Sequence, residues 1–531
     1  MQLRNRALVL ALAVGTAASG LVGTGAAAAQ EARGATPVQW AACAQDVLDE
    51  IPAAQRDKVS CANHPVPLDH RKPDGAKITI ALMKRPADDQ ANKVGSLFIN
   101  PGGPGGAGLI YSAYGSSFFQ PEVMKRFDLI GFDPRGVGRS SPLRCFTTLE
   151  EANEVFGRMS GVPVTRTEIR NTMDATKDYT DACARNAGPL LDHMSTEAVA
   201  RDLDLLRQGV GDRQLTFVGF SYGTLLGATY ANIFPSKSRA LVLDGNVDPA
   251  LRTSNGAEYD RQRAKGFELA LDAFLERCDA EGDKCAYSDG DPRAKFDEVR
   301  DHLRTRSITL PTNQVVTYEG YIGRVGSDLY APTRFKALAA WLQSIYAVLH
   351  PGAATFSAQE QADLLPPLAN KRGLADVRAG LTGDTEYLAD DSYYGVNCTD
   401  KPFLRVPQLF PAVAAKWERE SPTFGRSQAA SDLLTCATWP VPRPDRWAGP
   451  WNKRTPNPVV VVGNYYDPAT QYEFSKRMDR QLGNARLLSV DAFGHCILGD
   501  SAGVDTAVTD YLVNLKAPAD GQVFQPNAQP F

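Results

Sequence analysis

LTFVGFSYGTLLGATYANIFP, Leu215 to Pro235, runs from a strand-like apolar segment into a helix-like one through Gly219-Phe220-Ser221-Tyr222-Gly223. A serine between two glycines at such a junction fits G-x-S-x-G, the nucleophile elbow. The serine sits on a sharp turn, so its hydroxyl stands clear of the sheet. Side chains at the flanking positions would collide with the neighbouring strand and helix. The start of the following helix supplies positive potential for a developing oxyanion. The five-residue pattern alone is weak; the strand before it and the helix after it give it weight.

Working outward, strands alternate with helices. "AKITIALMKRP" (76–86), "VGSLFINPGG" (94–103), "FDLIGFDPRGVGRS" (127–140) and "SRALVLDGNVDP" (238–249) read as strands with their loops. "STEAVARDLDLLRQGVG" (195–211) reads as a helix capped by Ser195 or Thr196. From 251 to 445 the pattern turns charged and helical, with no clean buried strand. Strand patterning resumes in "NPVVVVGNYYDP" (457–468) and "ARLLSVDAFGH" (485–495). This is an α/β chain with a mostly parallel sheet flanked by helices, and a large, mainly helical lid inserted after the sixth strand. The expected organisation is a signal peptide over 1–29, an N-terminal arm or pro-segment over 30–60, the first part of the core over 61–250, the lid over 251–445 and the second part of the core over 446–531. The Pro- and Gln-rich tail from Pro518 is expected to fray.

A serine hydroxyl needs a base. Among only six histidines, His495 lies just past the last strand, on the sheet edge where catalytic groups gather. His64, His70, His193, His302 and His350 read as surface or capping residues. Folds with this elbow order their triad Ser, Asp/Glu, His. Asp467 follows "PVVVVGNYY" and is preferred as the acid. Asp244 in "LVLDGN" is the competitor, expected instead to shape the loop into the insertion. Thr470 holds the Asp467 loop or, on the safer reading, caps the next helix. The oxyanion donors should be the N–H of Tyr222 and one from "NPGGPGGAG" (100–108), Gly102 or Gly103. No Lys-Ser/Thr follows these glycines, so a phosphate loop is disfavoured.

The net charge of −4 implies no basic face for nucleic acid. "MQLRNR", then an apolar run and "GAAAAQ", reads as an export signal cut near Ala29 and not as a membrane anchor. Export makes the nine cysteines readable as disulfides. Proximity suggests Cys43–Cys61, Cys145–Cys183, Cys278–Cys285 and Cys398–Cys436, leaving Cys496 over. There is no paired C-x-x-C and no H-E-x-x-H, so neither metal nor organic cofactor is expected.

"NPGGPGGAG", "FDLIGFDPRGVGRS", "FVGFSYGTLLGATYANIFP" and "VVVVGNYYDPAT…DAFGHC", in this order, resemble the secreted tripeptidyl aminopeptidases of actinobacteria, α/β-hydrolases related to proline iminopeptidases. The resemblance spans nearly the whole mature chain. It implies the α/β-hydrolase fold, with the family's serine, aspartate and histidine falling on Ser221, Asp467 and His495. It departs at Pro101, where proline iminopeptidases carry the histidine of H-G-G-P-G. The resemblance also implies lid carboxylates that hold a substrate's amine. Asp400, Asp391 and Glu386, with Asp390, stand near the lid's end, but each reads equally as a solvated acid or part of a turn anchored by Cys398. The expected activity is a serine exopeptidase, extracellular or cell-wall associated. It would act on peptides with a free N-terminus and release short peptides, tripeptides foremost, with neither nucleic acid nor stable membrane insertion involved. A secreted esterase or lipase using the same triad is the alternative. A binding protein that has lost catalysis is disfavoured because all three triad positions are filled.

Overall fold

The computed structural model describes residues 36–355, 359–360, 386–441 and 445–531. The expected signal peptide lies outside them, as does most of the segment preceding Glu386.

Nine strands form one sheet. They are β1 (Ser60–Pro67), β2 (Lys77–Arg85), β3 (Gly95–Asn100), β4 (Phe127–Phe132), β5 (Leu215–Phe220), β6 (Ser238–Asp244), β9 (Val459–Tyr466), β10 (Ala485–Phe493) and β11 (Gln522–Phe524), in the order β1-β2-β4-β3-β5-β6-β9-β10-β11. β2 runs antiparallel to both neighbours, and every other pairing is parallel. The central strands are apolar on both sides because both faces are covered. Leu203, Leu206, Leu225 and Leu226 from helices Thr196–Gly209 and Gly223–Ile233 pack on one face. Val504, Val508 and Leu512 from Ala502–Asn514 pack on the other, beside Val123 and Met124.

Register brings the chemistry to one edge. Asn100 pairs with Gly219, Phe220 with Asp244, and Tyr466 with Phe493. The loops after β3, β5, β6, β9 and β10 therefore leave the sheet together, at the carboxyl ends of the strands, where ligands bind in such sheets.

Between β6 and β9 the chain is mainly helical. Helices Gly256–Glu281, Pro292–Leu303, Tyr318–Asp328 and Phe335–Leu349 bury a second apolar cluster that includes Phe274, Phe296, Tyr321 and Trp341. The segment also contains a two-stranded hairpin, β7 (Ile308–Thr309) with β8 (Val315–Val316), although no clean strand was expected there. Among the described residues no helix is long and apolar enough to cross a membrane.

The tail does not fray. Its β11 pairs with β10, the Asn527 N–H donates to the Asp500 carbonyl at 2.7 Å, and the Phe531 ring lies 6.2 Å from both Phe274 and Phe335. Apolar contact with the lid fixes what composition alone read as loose. The arm before β1 is also packed, with Val47 and Ile51 against Met83 and Leu109. All four disulfides suggested by proximity are present: Cys43–Cys61, Cys145–Cys183, Cys278–Cys285 and Cys398–Cys436.

Candidate active site

Ser221 has a positive φ of 55°. That conformation is costly for a side-chain-bearing residue, and observed strain of this kind points to function. Its surroundings hold it there. Ser221 N–H donates to the Asp244 carbonyl at 2.8 Å, and Thr224 donates to the Ser221 carbonyl through both its N–H and its hydroxyl. A Cβ on Gly219 would lie 2.3 Å from the Gly223 carbonyl oxygen, so the elbow closes only around glycine.

The glycine loop presses on this elbow. A Cβ on Gly102 would lie 2.9 Å from the Tyr222 nitrogen and 2.4 Å from the Phe220 carbonyl oxygen, and φ there is 92°. The Gly102 N–H, expected as a possible oxyanion donor, is instead engaged by Asn100 Oδ1 at 3.1 Å. Asn100 ends an apolar strand and is fully buried, so its side chain satisfies the loop's first amide. No described group accepts from the Tyr222 or the Gly103 N–H.

His495 Nδ1 lies 2.8 and 3.0 Å from the two oxygens of Asp467. A proton on Nδ1, shared with the carboxylate, leaves Nε2 as the acceptor. Asp467 is itself fixed, since Oδ1 accepts the N–H groups of Ala469 and Thr470 at 2.8 Å each. Thr470 Oγ1 donates to Oδ2 at 2.8 Å and lies 3.2 Å from His495 Nδ1. Thr470 thus holds the acid and does not cap the next helix, Tyr472–Gln481, whose N-cap position is Gln471. The His495 N–H donates to the Tyr330 carbonyl at 2.9 Å, and the Tyr330 ring meets the imidazole edge-on at 5.3 Å. Tyr330 comes from the inserted segment, and no sequence motif marked it.

Asp244, the competitor, makes no hydrogen bond to the imidazole, whose carboxylate partner is Asp467. Its Oδ2 accepts the N–H groups of Ile497 and Leu498 at 2.8 and 3.0 Å. It anchors the loop after His495, not the loop into the insertion. Burial pushes its carboxyl up to about 6, against the pull of those two amides.

The expected amine-binding acids are each engaged by other groups of the chain. Asp400 is buried and accepts the Thr196 N–H at 3.1 Å and its hydroxyl at 2.5 Å. Asp391 is buried and accepts from the Cys145 N–H at 2.7 Å and the Tyr179 hydroxyl at 2.9 Å, and burial raises it to about 6. Asp390 accepts the Gly138 N–H at 3.0 Å, and Glu386 is an exposed partner of Arg144 at 3.0 Å. A pair of carboxylates on one ammonium does exist: Asp260 and Asp432 both hold Lys401, the chain's own amine. Arg263 lies beside them, 3.9 Å from Asp260, with its Nε donating to the Ala469 carbonyl at 3.3 Å.

Of two other histidines read as surface or capping residues, one is buried and one half-buried. His64 is buried in β1 and His70 lies 2.8 Å from Asp202, which also pairs with the buried Arg135. Among the described residues no cluster of three His, Cys, Asp or Glu could hold a metal ion.

Residues 95–281 match the family model described as alpha/beta hydrolase fold, and residues 421–523 match the one described as TAP-like protein. The chain is 32% identical over 499 residues to serine protease Hip1 of Mycobacterium tuberculosis, covering 91% of this chain and 90% of that protein. It is 29% identical over 527 residues to tripeptidyl aminopeptidase of Streptomyces lividans, covering 96% and 90%. It is 29% identical over 498 residues to carboxylesterase B of Mycobacterium tuberculosis, covering 90% and 88%. With this sheet order, this elbow and relatives of that similarity over almost their full length, the chain belongs to the α/β-hydrolase serine peptidases that include Hip1 and the tripeptidyl aminopeptidases.

Proposed function

We propose that the protein is a secreted serine aminopeptidase that releases short peptides, tripeptides in the main, from free N-termini. Ser221, His495 and Asp467 form its triad, and the N–H groups of Tyr222 and Gly103 form its oxyanion hole. The observation that carries the triad is the pairing of His495 Nδ1 with both oxygens of Asp467, at 2.8 and 3.0 Å. It orients Nε2 as a base for the strained serine.

Ser221 Oγ attacks the scissile carbonyl carbon as His495 Nε2 takes its proton. The carbonyl oxygen becomes an oxyanion facing the two N–H donors. Collapse breaks the C–N bond, and His495⁺ passes the proton to the leaving amine. Water, deprotonated by His495, then attacks the acyl-enzyme, and Ser221 regains its proton as the peptide acid leaves. Asp467 stabilises the imidazolium in both halves.

The tripeptide reading is supported by the helical segment against the site, where Tyr330 touches His495, and by the likeness to a protein named tripeptidyl aminopeptidase. On this reading the inserted segment that carries Tyr330 limits how much peptide enters. Export is supported by the leader and by four disulfides. The test is a matched pair of peptides, one free and one N-acetylated, with products identified by mass. An amine-anchored enzyme releases N-terminal pieces of fixed length and loses at least about tenfold in kcat/KM on acetylation, since roughly 1.4 kcal/mol corresponds to that factor. Equal cleavage of both, or cuts through the interior, overturns it. The likeness to carboxylesterase B favours an esterase as the second reading; p-nitrophenyl esters compared with tripeptide anilides separate the two.

A further inference from the structure

Helix Ser392–Asp400 lies against the glycine loop at one end and is linked to Tyr222 through intervening side chains at the other. At its first turn it abuts the glycine loop: a Cβ on Gly105 would lie 2.7 Å from Ser392 Oγ and 2.9 Å from the Tyr393 nitrogen. At its last turn it reaches Tyr222 by two routes. Asp400 Oδ2 accepts the Thr196 hydroxyl at 2.5 Å, and that hydroxyl in turn contacts the Tyr222 phenol. Asn397, one turn earlier, accepts from Arg252 Nη2 at 2.5 Å, and the Arg252 guanidinium lies 5.5 Å from the centre of the Tyr222 ring.

The helix itself cannot shift freely. Before its start, Asp390 and Asp391 accept the Gly138 and Cys145 N–H groups at 3.0 and 2.7 Å. Near its end, Cys398 is bonded to Cys436 and Lys401 sits between Asp260 and Asp432. Thr196, Tyr222 and Asp400 are all buried, so their hydrogen bonds are not diluted by water.

We propose that this helix sets the spacing of the two oxyanion donors and that Asp400 is a positioning residue, acting through Thr196 and the Tyr222 phenol on the Tyr222 N–H. The Tyr222 phenol ends in this chain of bonds, and its anchored ring fixes the peptide plane that carries the N–H. An oxyanion donor must meet the transition-state oxygen and not the ground-state carbonyl, so a small displacement costs rate more than binding. The proposal replaces the amine-binding role expected for Asp400 and rests on the peptidase reading above.

The experiment uses the full chain with a tripeptide p-nitroanilide and a tripeptide boronic acid. Tyr222→Phe, Asp400→Asn and the double variant are compared with wild type. Tyr222→Phe keeps the backbone donor and the ring and removes only the tether, so it serves even if the Asp400 variant folds poorly. A positioning role lowers kcat about ten- to a hundredfold, leaves KM within about twofold and weakens the boronate in step with kcat. The double variant is no worse than the poorer single one, because both cut the same chain. Unchanged kcat in Tyr222→Phe, fully additive losses, or a rise in KM alone overturns the proposal. The last result would restore Asp400 as a substrate-amine receptor. Wild type and Ser221→Ala are run on the same anilide; equal rates would sink the peptidase reading itself, a different failure from any of these.

Discussion

Ser221 and Asp244 are joined main chain to main chain, the serine N–H donating to the aspartate carbonyl at 2.8 Å. The same aspartate uses its carboxylate to hold the Ile497 and Leu498 amides beyond His495. One residue at the end of β6 thus sets the nucleophile turn and the histidine loop relative to each other, without touching the imidazole as an acid partner would.

That division of labour predicts opposite outcomes for two conservative changes. Asp467→Asn leaves an amide beside His495 Nδ1 and disturbs the tautomer, so kcat should fall by about 10⁴. Asp244→Asn retains an oxygen for both loop amides and should keep most of the activity. Steady-state rates on one anilide decide. Near-normal Asp467→Asn with dead Asp244→Asn would reverse the assignment.

Asp244 also makes a prediction about pH. Its carboxyl is raised from 3.8 to about 6, mainly by burial. Between those values the folded chain holds a proton at this group that the unfolded chain has lost, so this contribution to stability falls as pH rises. Asp244→Asn carries no such titration. Its melting temperature relative to wild type should climb from about pH 4 to about pH 6 and then level off. A difference that is flat across that window contradicts the burial argument.

Thr470 offers a finer test. Its hydroxyl donates to Asp467 Oδ2 at 2.8 Å, and losing one hydrogen bond to a charged group costs about 1.5–3 kcal/mol. Thr470→Val should therefore lower kcat by at least about tenfold with KM little changed. If KM alone moves, Thr470 belongs to substrate binding instead.

The elbow, the central strands and the histidine were legible because each rests on a local pattern: β3, β4, β5 and β9 are apolar runs, and Ser221 sits in a fixed glycine frame. The contacts of Thr470 and Asp400 were not, because a threonine near a helix start or an acid near a cysteine reads the same whether it caps, pairs or binds. Only tertiary contact put Asp400 against Thr196. Asn100 left a readable trace, a polar residue ending a buried strand. Helix Arg166–Asn186 is polar over most of its length, and its buried face is built largely of small and hydroxyl residues such as Thr172, Ala175, Thr176 and Thr180, which mark no apolar stripe. The tail was misread because its composition is loose while Phe531 packs on two lid phenylalanines.

The disulfides should differ in weight. Cys278–Cys285 closes a separation of 7 residues and Cys398–Cys436 one of 38. Loop-closure entropy assigns them about 2.5 and about 4 kcal/mol. Paired Cys→Ser variants in denaturant melts should follow that order, and loss of Cys398–Cys436 should also lower kcat because it frees helix Ser392–Asp400. Non-reducing peptide mapping should recover Cys496, which is in none of the four disulfides, as an alkylatable thiol. A bridge through Cys496 would contradict the pairing.

The central claim is that Ser221 is a nucleophile activated by His495 and oriented by Asp467. The most direct measurement is labelling with a serine-directed fluorophosphonate, followed by mass mapping of the adduct and its rate of formation. The account predicts one adduct, on Ser221, formed quickly in wild type and in Asp244→Asn. It should form at least about a hundredfold more slowly in His495→Ala and Asp467→Asn, and not at all in Ser221→Ala. An adduct on another residue, or an unchanged labelling rate in both His495→Ala and Asp467→Asn, would contradict it.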